Sequence, residues 1–121
     1  MAIEISNSKL LEVVVVSVIQ IISKLTSHGY AMVVTDTMLK KLAKEHPALG
    51  YVTVKLESHA NEVHVGPSAD GLSDNELGEA LNALIEHVDK LTGNYKFKKE
   101  LWFYLNPYEF RLLALGVELM K

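Results

Sequence analysis

Polar side chains recur at helical spacing near the start of the chain. On a wheel of roughly 100° per residue, Lys9, Glu12, Ser17, Gln20, Ser23, Lys24 and Ser27 share an arc of about 140°. That period overrides the strand preference of the β-branched run Val13–Val16 and predicts a helix from about Ser8 to His28. Ser6, Asn7 or Ser8 can cap its free amides, and Gly29 is placed for a left-handed stop. The apolar arc is well over half the circumference, more than one packing element covers.

Tyr30–Val34 is a short apolar stretch open to either strand or helix. Thr35 and Asp36 offer caps for a second helix over about Thr37 to Glu45, with Leu39, Leu42 and Ala43 at helical spacing and Pro47 as its limit. The period then changes to two. Val52, Val54 and Leu56 alternate with Tyr51, Thr53, Lys55 and Glu57, and Val63 and Val65 repeat the pattern across the connection Ser58–Asn61. A β-hairpin follows, which needs helices beneath it or another strand at its edge.

After the turn-rich segment Gly66–Leu72, Ser73 and Glu76 stand at capping-box spacing. They open a one-sided helix carrying Leu77, Ala80, Leu81, Leu84, Ile85, Val88 and Leu91, with Gly93 as its stop. Phe97, Leu101, Tyr104 and Leu105 predict a further helix over Lys96–Leu105. Asn106-Pro107 then starts a last one, with Phe110, Leu113, Ala114 and Val117 on one side and Leu112, Leu115 and Leu119 on another. The fold class is therefore α+β: mostly helical, with a β-hairpin, or a three-stranded antiparallel sheet if Tyr30–Val34 joins it, packed on helices.

At 121 residues, 49% of them hydrophobic and 22% charged, the chain reads as a single globular domain over 1–121. Net charge is −3 and Arg111 is the sole arginine, which argues against nucleic-acid binding. The absence of cysteine removes disulfides, thiol nucleophiles and thiolate zinc sites. Leu10–Ile22 is shorter than a bilayer span and is interrupted by Glu12, Ser17 and Gln20, so no membrane segment is expected. Glu4 stands where a secretory signal carries positive charge, and the expectation is a cytoplasmic protein.

Few residues suggest chemistry. His59, Glu62 and His64 come nearest to a metal set, but as hairpin residues opposite Val63 and Val65 they face solvent, and no metal or cofactor is expected. No nucleophile elbow occurs, and the Gly66–Glu76 segment lacks the Gly-Lys-Ser/Thr of a phosphate loop while placing Asp74 and Glu76 where a phosphate would sit. The most uneven feature is aromatic. Every ring except Tyr30 and Tyr51 lies between residues 95 and 110, interleaved with Lys96, Lys98 and Lys99. A core-facing aromatic helix with solvated lysines accounts for that pattern as well as a binding site does.

Two functions of different classes follow. The broad apolar faces, carrying Val15, Val18 and Ile22 on the first helix and Leu112, Leu115 and Leu119 on the last, favour a non-catalytic cytoplasmic interaction or regulatory module that homodimerises through them, with an unidentified protein as a further partner. The alternative cover is internal, the two helices packing together at the centre of one copy. The rival function is a ligand-binding sensor or small enzyme. Its pocket would lie between the hairpin and the aromatic stretch, lined by Tyr95, Trp102, Tyr104, Tyr108 and His64.

Overall fold

The computed structural model describes residues 5–55, 63–93 and 96–119. Among these described residues, five α-helices and one two-stranded antiparallel sheet follow in the order α1 (Asn7–Leu25), α2 (His28–Leu42), β1 (Val52–Val54), β2 (Val63–Val65), α3 (Asp74–Thr92), α4 (Phe97–Leu105) and α5 (Glu109–Ala114). The fold is a mostly helical α+β domain.

α1 is the hub. Leu10, Leu11, Val14, Val15, Val18, Ile19, Ile21 and Ile22 are all buried, each worth roughly 1.5–3 kcal/mol of transfer free energy as an upper figure. The arc is wide because α2, α3, α4, β2 and the 3₁₀ turn Pro67–Gly71 all pack on this one helix. Ser17 is also buried, and its hydroxyl is satisfied by donating to the Val13 carbonyl at 2.8 Å. The internal cover is thus supplied by several elements, and α4 rather than the last helix lies along α1.

Ser6 is the cap of α1, accepting from the Lys9 amide, but Gly29 is not its stop. The helix ends at Leu25, where Thr26 leaves helical geometry and both its amide and its hydroxyl donate to the Ile22 carbonyl. Ser27, extended, then caps α2 by accepting from the Tyr30 amide. Gly29 is an ordinary helical residue inside the first turn of α2. Tyr30–Val34 is helix, and α2 begins nine residues before the expected Thr37, at His28. The two-residue link makes α1 and α2 a helical hairpin.

In the β-hairpin Val52 pairs with Val65 and Val54 with Val63, as the period of two requires. Val52, Val54 and Val63 are buried, while Thr53 and His64 face outward. The expected connection Ser58–Asn61 lies outside the described residues. β2 packs on α1, and β1 packs on α2 and the 3₁₀ turn Pro47–Tyr51.

α3 follows its local signals closely. The Ser73 hydroxyl accepts from the Glu76 amide at 3.1 Å, the Glu76 carboxylate accepts from the Ser73 amide at 3.0 Å, and Gly93 closes the helix at φ 57°. Leu77, Ala80, Leu81, Leu84, Ile85 and Val88 are buried.

The last segment differs from expectation. No helix runs on to Leu119. A 3₁₀ turn over Asn106–Tyr108 leads into α5, which stops at Ala114. Gly116 takes φ 82°, its amide donates to the Leu113 carbonyl at 3.0 Å, and the Val117 amide donates to the Leu112 carbonyl at 2.9 Å. These are the two bonds of a Schellman stop, with Val117 and Leu112 as its apolar pair. The chain beyond it folds back on α3, where the Asn82 side-chain amide donates to the Gly116 carbonyl at 3.1 Å.

Candidate functional site

α4 buries Phe97, Leu101 and Leu105, one stripe at i, i+4 spacing, against α1 and α3. Residues off that stripe are at most partly buried, Trp102 and Tyr104 against the edge of the core. Phe103 is 61% exposed, and on α5, where Leu112 points inward, Phe110 is 65% and Leu113 49% exposed. Trp102, half-buried, joins them. Its ring meets Phe103 edge-on with centroids 5.6 Å apart, and its indole N–H donates to the Glu109 carboxylate at 3.2 Å. That bond ties α4 to α5 and fixes the indole between them.

Trp102, Leu105, Leu112, Leu113, Val117 and Leu119, with Glu109, line a crevice of about 30 Å³ between α4, α5 and the segment that follows α5. It has room for a water or two, far short of the several hundred Å³ that an organic ligand needs. A second recess of about 210 Å³ lies between α2 and β1, lined by Asp36, Leu39, Lys40, Ala43, Leu49, Gly50, Val52 and Thr53. Asp36 and Lys40 there are paired with each other at 3.1 Å.

Of the described residues expected to line a ligand pocket, only Trp102 reaches the crevice. Tyr104 is half-buried and turned toward the end of α1. The Lys24 ammonium stands 5.5 Å from its ring centre, and hydrogen bonding to Tyr104 raises the pKa of Lys24 above the ordinary lysine value. Tyr108 is half-buried on the core, His64 is exposed on β2, and Tyr95 lies outside the described residues. The hairpin sits on α1 and α2 while α4 sits on α1 and α3, so these residues are distributed around the domain. Of the candidate metal set, His59 and Glu62 lie outside the described residues. Among those described, no group of three His, Asp or Glu side chains is placed to hold a metal.

The expected interface residues have a different place. Val15, Val18, Ile22, Leu112, Leu115 and Leu119 are each at most 9% exposed within one copy. They are core, because α1 is surrounded by its own chain and the Gly116 stop turns Leu115 and Leu119 inward. On the wheel of α4, Phe103 stands off the 97/101/105 stripe, and its ring, with Trp102 against one edge, is left 61% exposed.

Arg111 completes the local structure. Its guanidinium donates to the Asn7 side-chain oxygen at 2.7 Å and to Asp74 at 3.2 Å. Asn7 in turn donates to the Leu72 carbonyl at 3.1 Å, and the Ser8 amide donates to Asp70 at 2.9 Å. The sole arginine thus clasps the first residues of α1 and α3 to α5, and its charge is spent on holding the fold. No helix among the described residues is long and apolar enough to cross a membrane. No protein family, curated protein or solved structure matches this chain.

Proposed function

We propose that this protein is a small, non-catalytic cytoplasmic interaction or regulatory module that acts as a homodimer. The observation that supports this reading is the apolar surface left on α4 and α5, where Phe103, edge-on to Trp102, and Phe110 and Leu113 are half to two-thirds exposed. Large aromatic side chains left in water have the composition of an interface centre. Taking roughly 200 Å² per ring, the three exposed side chains present about 300 Å² of apolar surface, the core of a contact whose polar rim adds the remainder. The groups around this face are committed to structure: Glu109 holds the indole and Arg111 clasps two helix starts.

Native mass spectrometry of the full chain tests the reading. A dimer without added mass is the expected result. A monomer carrying a defined small-molecule adduct would replace it with the ligand-binding reading.

A further inference from the structure

The recess between α2 and β1, at about 210 Å³ against about 30 Å³ for the crevice, is the roomier of the two and shares no lining residue with it. At roughly 30 Å³ per water it has space for about seven waters, or for one organic group of similar size. Most of its lining is apolar. Leu39, Leu49 and Val52 are buried and Ala43 is half-buried, while Gly50 brings no side chain, and a Cβ there would stand 3.9 Å from that of Ala43.

Two charged side chains complete the lining, and they differ in their contact with water. The Asp36 side chain is 19% exposed, whereas that of Lys40, its sole ionic partner among the described residues, is 77% exposed. A carboxylate drawn that far out of water needs a counter-charge, and an ammonium that remains mostly solvated one helical turn away supplies a weak one. An anionic ligand would meet Asp36 with like charge, and a neutral one would leave the carboxylate as it is. An ammonium on a short apolar chain satisfies both parts of the recess at once, because its cation pairs with the carboxylate while its chain covers the apolar lining.

From this combination of a largely desolvated carboxylate and an apolar lining we infer that the recess binds a small primary alkylammonium. Its cation takes the place of Lys40 on Asp36, and its chain lies against Leu39, Ala43, Leu49 and Val52. The site is independent of the homodimer reading and adds a ligand to the domain on the side of α2.

Amide NMR of the full chain, titrated with n-butylammonium chloride at neutral pH and constant ionic strength, tests it. The expected result is a set of saturable shifts confined to residues around 36–43 and 49–53, with no such set on titration with sodium butyrate, which has a tail of similar length and the opposite charge. Asp36→Asn, nearly isosteric, should raise the dissociation constant at least tenfold. Lys40→Ala should lower it severalfold, because it removes the competing ammonium from a mostly exposed position. A merely structural role for the ion pair would move both variants in the same direction. Gly50→Leu, at an exposed position without positive φ, fills the recess and should abolish the shifts while helical circular dichroism is preserved. Shifts that do not saturate, equal shifts with butyrate, or a Lys40→Ala protein that binds the amine no more tightly than the parent would each overturn the assignment. Should Asp36→Asn fail to fold, the Lys40→Ala and Gly50→Leu proteins decide it.

Discussion

Gly78, inside α3, lies directly beneath the backbone of Leu115: a Cβ built at Gly78 would overlap the Leu115 carbonyl oxygen. A glycine in a helix interior ordinarily costs about 1 kcal/mol relative to alanine. Here it is what allows the segment after α5 to lie against α3, with the Asn82 bond to Gly116 one turn further on.

Gly78→Ala should therefore destabilise the protein by about 1–3 kcal/mol, as overpacking does, although helix propensity alone favours the change. Gly29→Ala is the matched comparison. Gly29 is also helical, nothing lies within 4 Å of a Cβ there, and its φ is not positive. That variant should gain about 0.5 kcal/mol. Urea denaturation of the pair checks both signs, and a gain at both positions would mean that the tail does not pack on α3.

Thr35 is buried in α2, and its hydroxyl has no hydrogen-bond partner among the described residues. Thr35→Val keeps the shape and removes a polar group that has lost its water. The expected change is a gain of about 1 kcal/mol in the same denaturation experiment, and a loss would reveal a bond that the hydroxyl makes.

The Glu76 carboxylate accepts the Ser73 amide, and that bond holds its pKa below the ordinary glutamate value of 4.5. A depressed folded pKa contributes stability that is complete above the unfolded value, falls away as the pH drops from there through the folded value, and is absent below both. Thermal melts on the acid side of about pH 5 should show this decline. Glu76→Gln, which retains an acceptor but cannot titrate, should lose that part of the pH dependence. Equal slopes for the two proteins would mean that the capping box does not persist in solution.

Val15→Glu and Leu115→Glu place an unpaired carboxylate in the core of one copy, where both residues are under 10% exposed. Each should cost at least about 3 kcal/mol and unfold the domain rather than yield a folded monomer. Circular dichroism beside sedimentation separates the two outcomes. A folded monomer from either variant would return these positions to a subunit interface.

Where a signal is local, the sequence displays the structure directly. Ser73 and Glu76 need only each other's backbone, and Val52, Val54, Val63 and Val65 need only one covered face, so the α3 start and the hairpin register are both legible. Gly29 misleads because a glycine after a polar helix end reads as a stop, whereas Ser27 has already begun the next helix by capping Tyr30. Gly116 was available as a stop, but the apolar run around it, Leu112–Leu119, continues a helical period in number if not in space. The wheel of α1 shows that Val15, Val18 and Ile22 must be covered and is silent on what covers them. That depends on five other elements converging on one helix, which no local spacing encodes. The same reason hid the candidate surface. The cluster of rings between residues 95 and 110 is visible in the sequence, but which of them remain in water is decided by how α4 and α5 dock.

Because α1 is the common wall for α2, α3, α4, β2 and the Pro67–Gly71 turn, no one of these can carry it into solvent alone. Its central amides should exchange with deuterium only when the whole domain opens, at the global unfolding free energy, whereas α5, with a single buried side chain, can open by itself. Phe110 and Leu113 are thus carried by a softer element than Trp102 and Phe103, whose helix is anchored on α1 and α3 by Phe97, Leu101 and Leu105.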